Sequence, residues 1–424
     1  MTDVLAVLLG DRVAGFVTRA VGGKLNFVYD DAYRNQDGPT PLSLSMPAQI
    51  KTHPDRVVTP WMWGLLPDND AVLARWARRF AVSASSPFGL LASPVGQDCA
   101  GGVRFVAPDA VDAALGRPGR IQWLTEDDVA GRLRDLRADA TAWLGSDFTG
   151  RFSLAGAQAK TALYHDKGRW GLPTGSAATS HILKPAISGF DDHDLNEHLC
   201  LRAAALTGLP AVRSEVVSFG GETAIQIERY DRLRVGRALV RIHQEDACQA
   251  LGVPPTAKYQ SEGGPGPADL AALFRRIMPA QVADDAVWDF AAALVWNWVI
   301  AGTDAHAKNY SLLLSGAQVR LAPLYDVASA LPYGAHERKL RLAMKLGNDY
   351  RLYGQRPTTW SALATELGLN HDLLIERATR LVAAAPDAFA QAAQGVHHLG
   401  SSLPARLVDA VADRAKRCQT SLRS

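Results

Sequence analysis

The run Thr303-Asp304-Ala305-His306-Ala307-Lys308-Asn309 places a carboxylate, an imidazole and an amide directly after an apolar stretch, Phe290 to Ala301. Polar side chains crowded at the end of a buried element are costly unless solvated or partnered. By itself the string is equally a helix C-terminal turn with solvated polar groups. The residues beyond it alter that balance. Tyr310–Leu314 and Val319–Leu321 have the pattern of two short strands joined across Ser315-Gly316-Ala317, a hairpin that sets Asn309 beside Asp326. An amide oxygen and a carboxylate in that relation suit magnesium, a hard ion needing only one or two protein ligands when phosphates supply the rest. Asp304, a few residues before Asn309, stands where a carboxylate accepts a hydroxyl proton. This is the order of a kinase catalytic loop and its metal aspartate.

Such a site requires a phosphate-binding loop and a strand lysine earlier in the chain. Ser153-Leu154-Ala155-Gly156-Ala157-Gln158-Ala159-Lys160 is a run of small residues between strand patterns, so backbone N–H groups can approach phosphate oxygens and Lys160 adds charge. It is not a Walker A motif, and small-residue turns are common in hairpins. Lys184 closes the apolar strand His181–Leu183 just before Pro185, within reach of α- and β-phosphate oxygens; alone it is an ordinary strand-end lysine. Glu197, on the next helix, is a candidate partner for Lys184, or a solvated helix-face glutamate. Glu228-Arg229-Tyr230 ends a hairpin where sheet gives way to helices, the place for a hinge that hydrogen-bonds adenine.

These residues need strands and helices to hold them. Val4–Leu9, Val13–Val17 and Leu25–Tyr29 have the pattern of a small meander, Asp70–Phe80 that of a helix capped by Asp68 or Asn69, and Gly101–Pro108 that of a closing strand. The first boundary falls near Pro108, giving domains over 1–108, 109–230 and 231–424. Ile121–Leu144 is helical in pattern. Phe152–Leu154, Thr161–Tyr164, Arg169–Leu172 and His181–Leu183 are strand candidates; Asp194–Leu206 is a helix, and Ser214–Ser218 with Ala224–Glu228 a hairpin. Beyond Tyr230 the chain is expected to be mostly helical, with a surface loop over Gln260–Pro267.

Composition bounds the rest. The 424 residues are 47% hydrophobic and 21% charged, a globular balance. The 45 basic and 43 acidic residues leave a net charge of +2, so no polyanionic partner is demanded by the whole molecule. The basic stretch Arg406–Ser424 is a solvated helix or a helper in DNA binding. Cys99, Cys200, Cys248 and Cys418 match no metal or redox spacing and are expected as reduced core residues of a cytoplasmic protein. The opening Val4–Leu9 run is too short for a signal peptide, and Phe290–Ala301 too short to span a membrane.

The chain resembles the HipA-type serine/threonine kinases, toxins of bacterial type II toxin–antitoxin pairs. The resemblance rests on Phe152–Leu163, His181–Lys184, Glu228–Arg232, Gln244-Glu245-Asp246, Lys258–Ser261, Gly263–Gly266, Thr303–Ser311 and Leu324-Tyr325-Asp326. Pro41–Pro47 and Gly64–Asp68 extend it into the N-terminal part. It implies an α+β, protein-kinase-like fold of the phosphatidylinositol-kinase type, two-lobed, with a mostly β N-terminal subdomain and a largely helical C-terminal lobe. It implies ATP and Mg2+, with Asp304 as catalytic base and Asn309 and Asp326 on the metal. Ala155, Gly156, Ala157, Gln158, Ala159, Lys160, Lys184, Glu228, Arg229, Tyr230, His306 and Tyr325 would contact the nucleotide. Ser153 falls at the family's autophosphorylation position, where a phosphate ejects the phosphate loop and shuts the enzyme off; about two negative charges there repel ATP. The implied target is an aminoacyl-tRNA synthetase, glutamyl-tRNA synthetase favoured. The implied partner is a HipB-like helix-turn-helix antitoxin through which alone operator DNA is met, with no membrane association. Ala159, where many members are acidic, and Ala301-Gly302 and Ala305 depart from the pattern. A small-molecule kinase shares the order of catalytic parts but has no use for the N-terminal motifs. A catalytically dead co-repressor has no need of Lys184, Asp304, Asn309 and Asp326, and a metal hydrolase built on Asp304 and His306 leaves Asp326 unexplained.

Overall fold

Burial alternates through Leu25–Tyr29: Leu25, Phe27 and Tyr29 are buried while Asn26 and Val28 are half-buried, as in a strand with one face on a core. The structure, a computed structural model, describes residues 3–187, 189–236, 238–334, 337–396 and 399–423. The chain forms two units. One comprises Met1–Pro185, Val217–Thr256 and Ser311–Val319, and the other Ala186–Val216, Ala257–Tyr310 and Arg320–Ser424.

The first unit is rich in antiparallel sheet. Five strands lie in the order Thr52–His53, Leu25–Tyr29, Arg12–Arg19, Val4–Leu9, Val103–Val106. Helices Asp55–Gly64 and Asp70–Phe80 contribute Trp61 and Trp76 to a core shared with Phe27, Phe105, Trp143, Phe152 and Leu154. Asn69 caps the second helix, its side chain accepting from the N–H groups of Ala71 and Val72. A six-stranded sheet runs Ser214–Phe219, Glu222–Glu228, His181–Lys184, Thr161–Asp166, Arg169–Thr174, Arg120–Leu124. Helix Glu126–Ala138 sets Val129, Ala130 and Leu133 against Leu163, Trp170, Leu172 and Leu183 of that sheet.

Three expectations change here. The helical pattern over Ile121–Leu144 resolves into a strand, Arg120–Leu124, then a helix that starts at a Thr125–Asp128 capping box; pairing with Arg169–Thr174 outweighs the local pattern. Phe152–Leu154 is extended but makes a single parallel bridge, Ser153 to Cys99. Strands Arg232–Val235, Ala238–Arg241 and His243–Asp246 precede the helices beyond Tyr230. The third of these pairs with Ser311–Ser315, so that strand is held from outside its own hairpin as well as by Gln318–Leu321.

The second unit is mainly helical: His193–Leu206, Pro267–Ile277, Ala280–Ile300, Pro357–Leu367, His371–Gln394 and Leu403–Arg423. Ala280–Ile300 is buried without a break from Ala293 to Ile300, including Trp296, Asn297 and Trp298. No helix among the described residues is long and apolar enough to cross a membrane. The four cysteines are buried and form no disulfide.

Candidate active site

Helix Ala280–Ile300 ends where Ala301 takes a left-handed conformation, φ 56°. Gly302 comes next, with its N–H on the Asn297 carbonyl at 2.8 Å; a Cβ there would lie 2.3 Å from Asn297 Oδ1, so a side chain would have to displace the Asn297 carboxamide. The chain then closes on Asp304. Its carbonyl accepts from the His306 N–H at 2.8 Å and from Asn309 Nδ2 at 3.0 Å. Asn309 also sends its own N–H to the His306 carbonyl at 2.9 Å, completing the 3-10 turn Ala307–Asn309. Asp304 is exposed, and its Oδ1 accepts the Tyr259 hydroxyl at 2.7 Å. His306 is buried, its ring edge-on to that of Tyr259 at 5.0 Å. The turn therefore brings Asp304, His306 and Asn309 together, as their spacing predicts.

The Asp326 segment is fixed separately. Leu324 forms a parallel bridge with Ala211, its N–H on Pro210 O at 2.8 Å and its carbonyl accepting from Val212 N–H at 3.0 Å. Tyr325 donates its hydroxyl to the Lys308 carbonyl at 2.6 Å, tying the residue before Asp326 to the residue before Asn309. Asp326 is held at φ +53°, a left-handed conformation costing a side-chain-bearing residue on the order of 1–2 kcal/mol. Asn309 and Asp326 both carry oxygen donors of the kind magnesium takes. With its Nδ2 engaged by Asp304 O, Asn309 has its amide oxygen as the remaining ligand atom, and Asp326 adds a carboxylate.

In the sheet-rich unit, Lys184 ends its strand opposite Ile225 and is 3% exposed, a burial that an ammonium accepts only with partners. Glu197, on helix His193–Leu206 of the other unit, is equally buried. Ala155–Lys160 forms a bend. Lys160 turns inward, its Nζ donating to Ala155 O at 2.7 Å and lying 4.9 Å from the Trp143 ring centroid, so it closes the segment on itself. Gln158 Nε2 reaches Pro185 O at 3.5 Å. Ser153 is fully buried, its Oγ donating to Leu65 O at 2.7 Å.

The expected hinge divides. Glu228 is exposed, and Tyr230 donates its hydroxyl to Gln244 Oε1 at 2.6 Å. Arg229 points into the protein: its guanidinium meets Asp231 at 2.7 Å, Thr179 Oγ1 at 2.8 Å and Cys99 O at 3.1 Å, and its N–H goes to Ser180 O. Asp98 completes this cluster, accepting from Arg232 at 2.9 Å, Arg241 at 3.1 Å and the Thr179 hydroxyl at 2.7 Å. Burial alone would raise the Asp98 pKa, but Arg232, Arg241 and Arg229 together hold its carboxyl well below the usual range. Sequence reasoning missed both this cluster and Tyr259. Asp98 lies 134 residues before Arg232 and 143 before Arg241, so its place among the arginines leaves no local signal, whereas Tyr259 stood within the Lys258–Ser261 motif without a role.

Two family models match the chain: HipA N-terminal domain over residues 5–106 and HipA-like C-terminal domain over residues 152–389. It is similar to Y4mE of Sinorhizobium fredii, provisionally named a kinase, at 36% identity over 423 residues and 99% of each chain. It is similar to the serine/threonine-protein kinase toxin HipA of Shewanella oneidensis at 27% identity, over 92% of this chain and 89% of that one. Among solved structures, it matches the fold of a chain in the Shewanella oneidensis complex of HipA, HipB and operator DNA. The TM-score is 0.85 at 24% identity, covering 99% of this chain and 97% of that one.

Proposed function

Because the chain belongs to the HipA family, we propose that it is a serine/threonine-protein kinase toxin of a toxin–antitoxin pair. It transfers the ATP γ-phosphate to a serine of a protein target, an aminoacyl-tRNA synthetase with glutamyl-tRNA synthetase favoured. The observation that carries this reading is the Asp304 turn, in which an exposed carboxylate sits on Tyr259 while Asn309 is locked to the same residue's carbonyl.

Asp304 takes the proton of the substrate serine hydroxyl as that oxygen bonds to the γ-phosphorus. The bond from phosphorus to the β,γ-bridging oxygen breaks, and ADP leaves with its electron pair. Asn309 and Asp326 would hold magnesium, which would neutralise charge on the phosphate oxygens. Lys184 binds the α- and β-phosphates, and the backbone of Ala155–Lys160 supplies N–H donors. Glu228 and Tyr230 face adenine, while the Arg229 side chain serves the buried cluster. His306 packs on Tyr259 and so steadies the base, and Tyr325 steadies Asp326.

The proposed domains are 1–108, 109–230 and 231–424, with a HipB-like antitoxin as partner, operator DNA met only through it, and the cytoplasm as the site of action. The complex solved for the Shewanella oneidensis relative supports that partner. Autophosphorylation at Ser153 inactivates the enzyme, and its full burial means the segment must leave its place first.

The test is intact mass after incubation with ATP and magnesium, beside the Asp304→Asn variant. One phosphate gained by the wild type alone, mapped to Ser153, is expected. ATP consumption by Asp304→Asn at the wild-type rate would overturn the base assignment. No gain in a sample that starts unphosphorylated would turn the reading toward a co-repressor.

A further inference from the structure

The motif Gly64–Asp68 has no part in the chemistry above, yet it lies against the proposed phosphate segment. Ser153 Oγ donates to Leu65 O at 2.7 Å, the Asp68 N–H donates to Gly156 O at 3.0 Å, and Asn69 Nδ2 donates to Ala157 O at 3.3 Å. The constant separation of 88 residues means that the two stretches run side by side in register. On its other side Ser153 is bonded through its backbone, its N–H to Asp98 O at 3.0 Å and its carbonyl to Ala100 N–H at 3.2 Å. Phe152 and Leu154, on either side of Ser153, are buried in the core around Trp61, Trp76 and Trp143.

Neither flanking stretch is a regular strand, so the segment is held by side-chain and cap groups as well as by its one bridge. Asn69 is the distinctive member. Its Oδ1 accepts the first free N–H groups of helix Asp70–Phe80, from Ala71 at 3.0 Å and Val72 at 3.3 Å, while its Nδ2 holds Ala157. One carboxamide thus couples a helix start to the loop.

We propose that Leu65–Asn69 is the dock that positions the phosphate segment, with Asn69 as the positioning residue that fixes Ala157 to the end of helix Asp70–Phe80. The inference rests on the reading of Ala155–Lys160 as the ATP phosphate segment. Docked, the loop presents one backbone conformation to a nucleotide; undocked, it must be ordered at the moment of binding, which weakens affinity by the fraction of molecules in the competent state.

The test is hydrogen exchange of the full chain, read at the Ser153 and Asp68 amides, in wild type and Asn69→Ser. Serine caps a helix about as well as asparagine but carries no amide donor for Ala157. Loss of one neutral hydrogen bond predicts about five-fold faster exchange at both amides, while Trp76, inside the capped helix, exchanges as before. Asn69→Asp keeps the cap and sets a carboxylate against the Ala157 carbonyl, so a larger acceleration is expected. Unchanged exchange at Ser153 and Asp68 would overturn the proposal. Equal acceleration at Trp76 would also overturn it, since only the cap would then have been lost. Adding ATP and magnesium to the wild type separates the two readings: slowed exchange at the same amides supports the phosphate role. No slowing overturns that role while the Asn69 comparison still decides the dock.

Discussion

Asp98→Asn removes one carboxylate from a cluster in which Asp98 and Asp231 face Arg229, Arg232 and Arg241, with every side chain 8% exposed or less. Both Asp98 oxygens are used, Oδ1 by Arg232 and Arg241 and Oδ2 by the Thr179 N–H and hydroxyl. An amide in its place keeps one acceptor, turns an NH2 toward groups that are themselves donors, and leaves the guanidiniums with one anion instead of two. Removing one partner of a buried ion pair costs about 3–5 kcal/mol, and the donor-to-donor contact puts this substitution in the upper part of that range. A domain is stable by about 5–15 kcal/mol, so the variant stays folded but with a large share of its margin gone. The assay is urea denaturation combined with hydrogen exchange read at Thr179 and Ser153, whose N–H groups are bonded to Asp98 Oδ2 and Asp98 O. Exchange reports this region even if the two units unfold in separate steps. The pH dependence has a definite sign. The folded-state pKa is depressed, so the Asp98 contribution is present above the ordinary carboxylate value and fades only as pH falls below it. A loss smaller than about 1 kcal/mol would refute the reasoning, because the arginines would then be satisfied without the carboxylate.

Burial raises the Glu245 pKa to about 8, even though Ser43 Oγ and the Leu44 N–H donate to it at 2.6 and 2.7 Å. The folded state therefore keeps a proton that the unfolded chain gives up, so stability should fall by on the order of a few kcal/mol as pH rises from about 4.5 toward 8. Glu245→Gln should flatten that part of the pH–stability curve, and an unchanged slope would contradict the assignment. Tyr259→Phe removes the hydroxyl on Asp304 but keeps the ring on His306, so about a ten-fold lower kcat with an unaltered melting temperature is expected. Wild-type turnover would show that Asp304 needs no such anchor. Gly302→Ala drives a methyl group into the Asn297 carboxamide, and a loss of about 1–3 kcal/mol, together with lower activity, should appear in thermal unfolding and phosphotransfer assays.

The turn that holds the proposed base was legible in the sequence. Asp304, His306 and Asn309 come after a helix whose apolar run can only be buried, and the hydrogen bonds among the three are local, spanning at most five residues. Local hydrogen bonds and caps are written in neighbouring residue types, which is why helix Asp70–Phe80 was legible to the residue and its cap to within one position. Only the tertiary structure decided which side chains serve these groups. Tyr259 reaches Asp304 across 45 positions, Leu65 reaches Ser153 across 88, and Asp98 reaches Arg232 across 134. Such partners are chosen by how strands and helices pack, and no periodicity encodes them. The same reason turned Arg229 away from the expected hinge: a guanidinium at a strand end is drawn inward when two buried carboxylates wait there. It also made Arg120–Leu124 a strand, because its pairing partner Arg169–Thr174 lies far along the chain, where a local pattern has nothing to register.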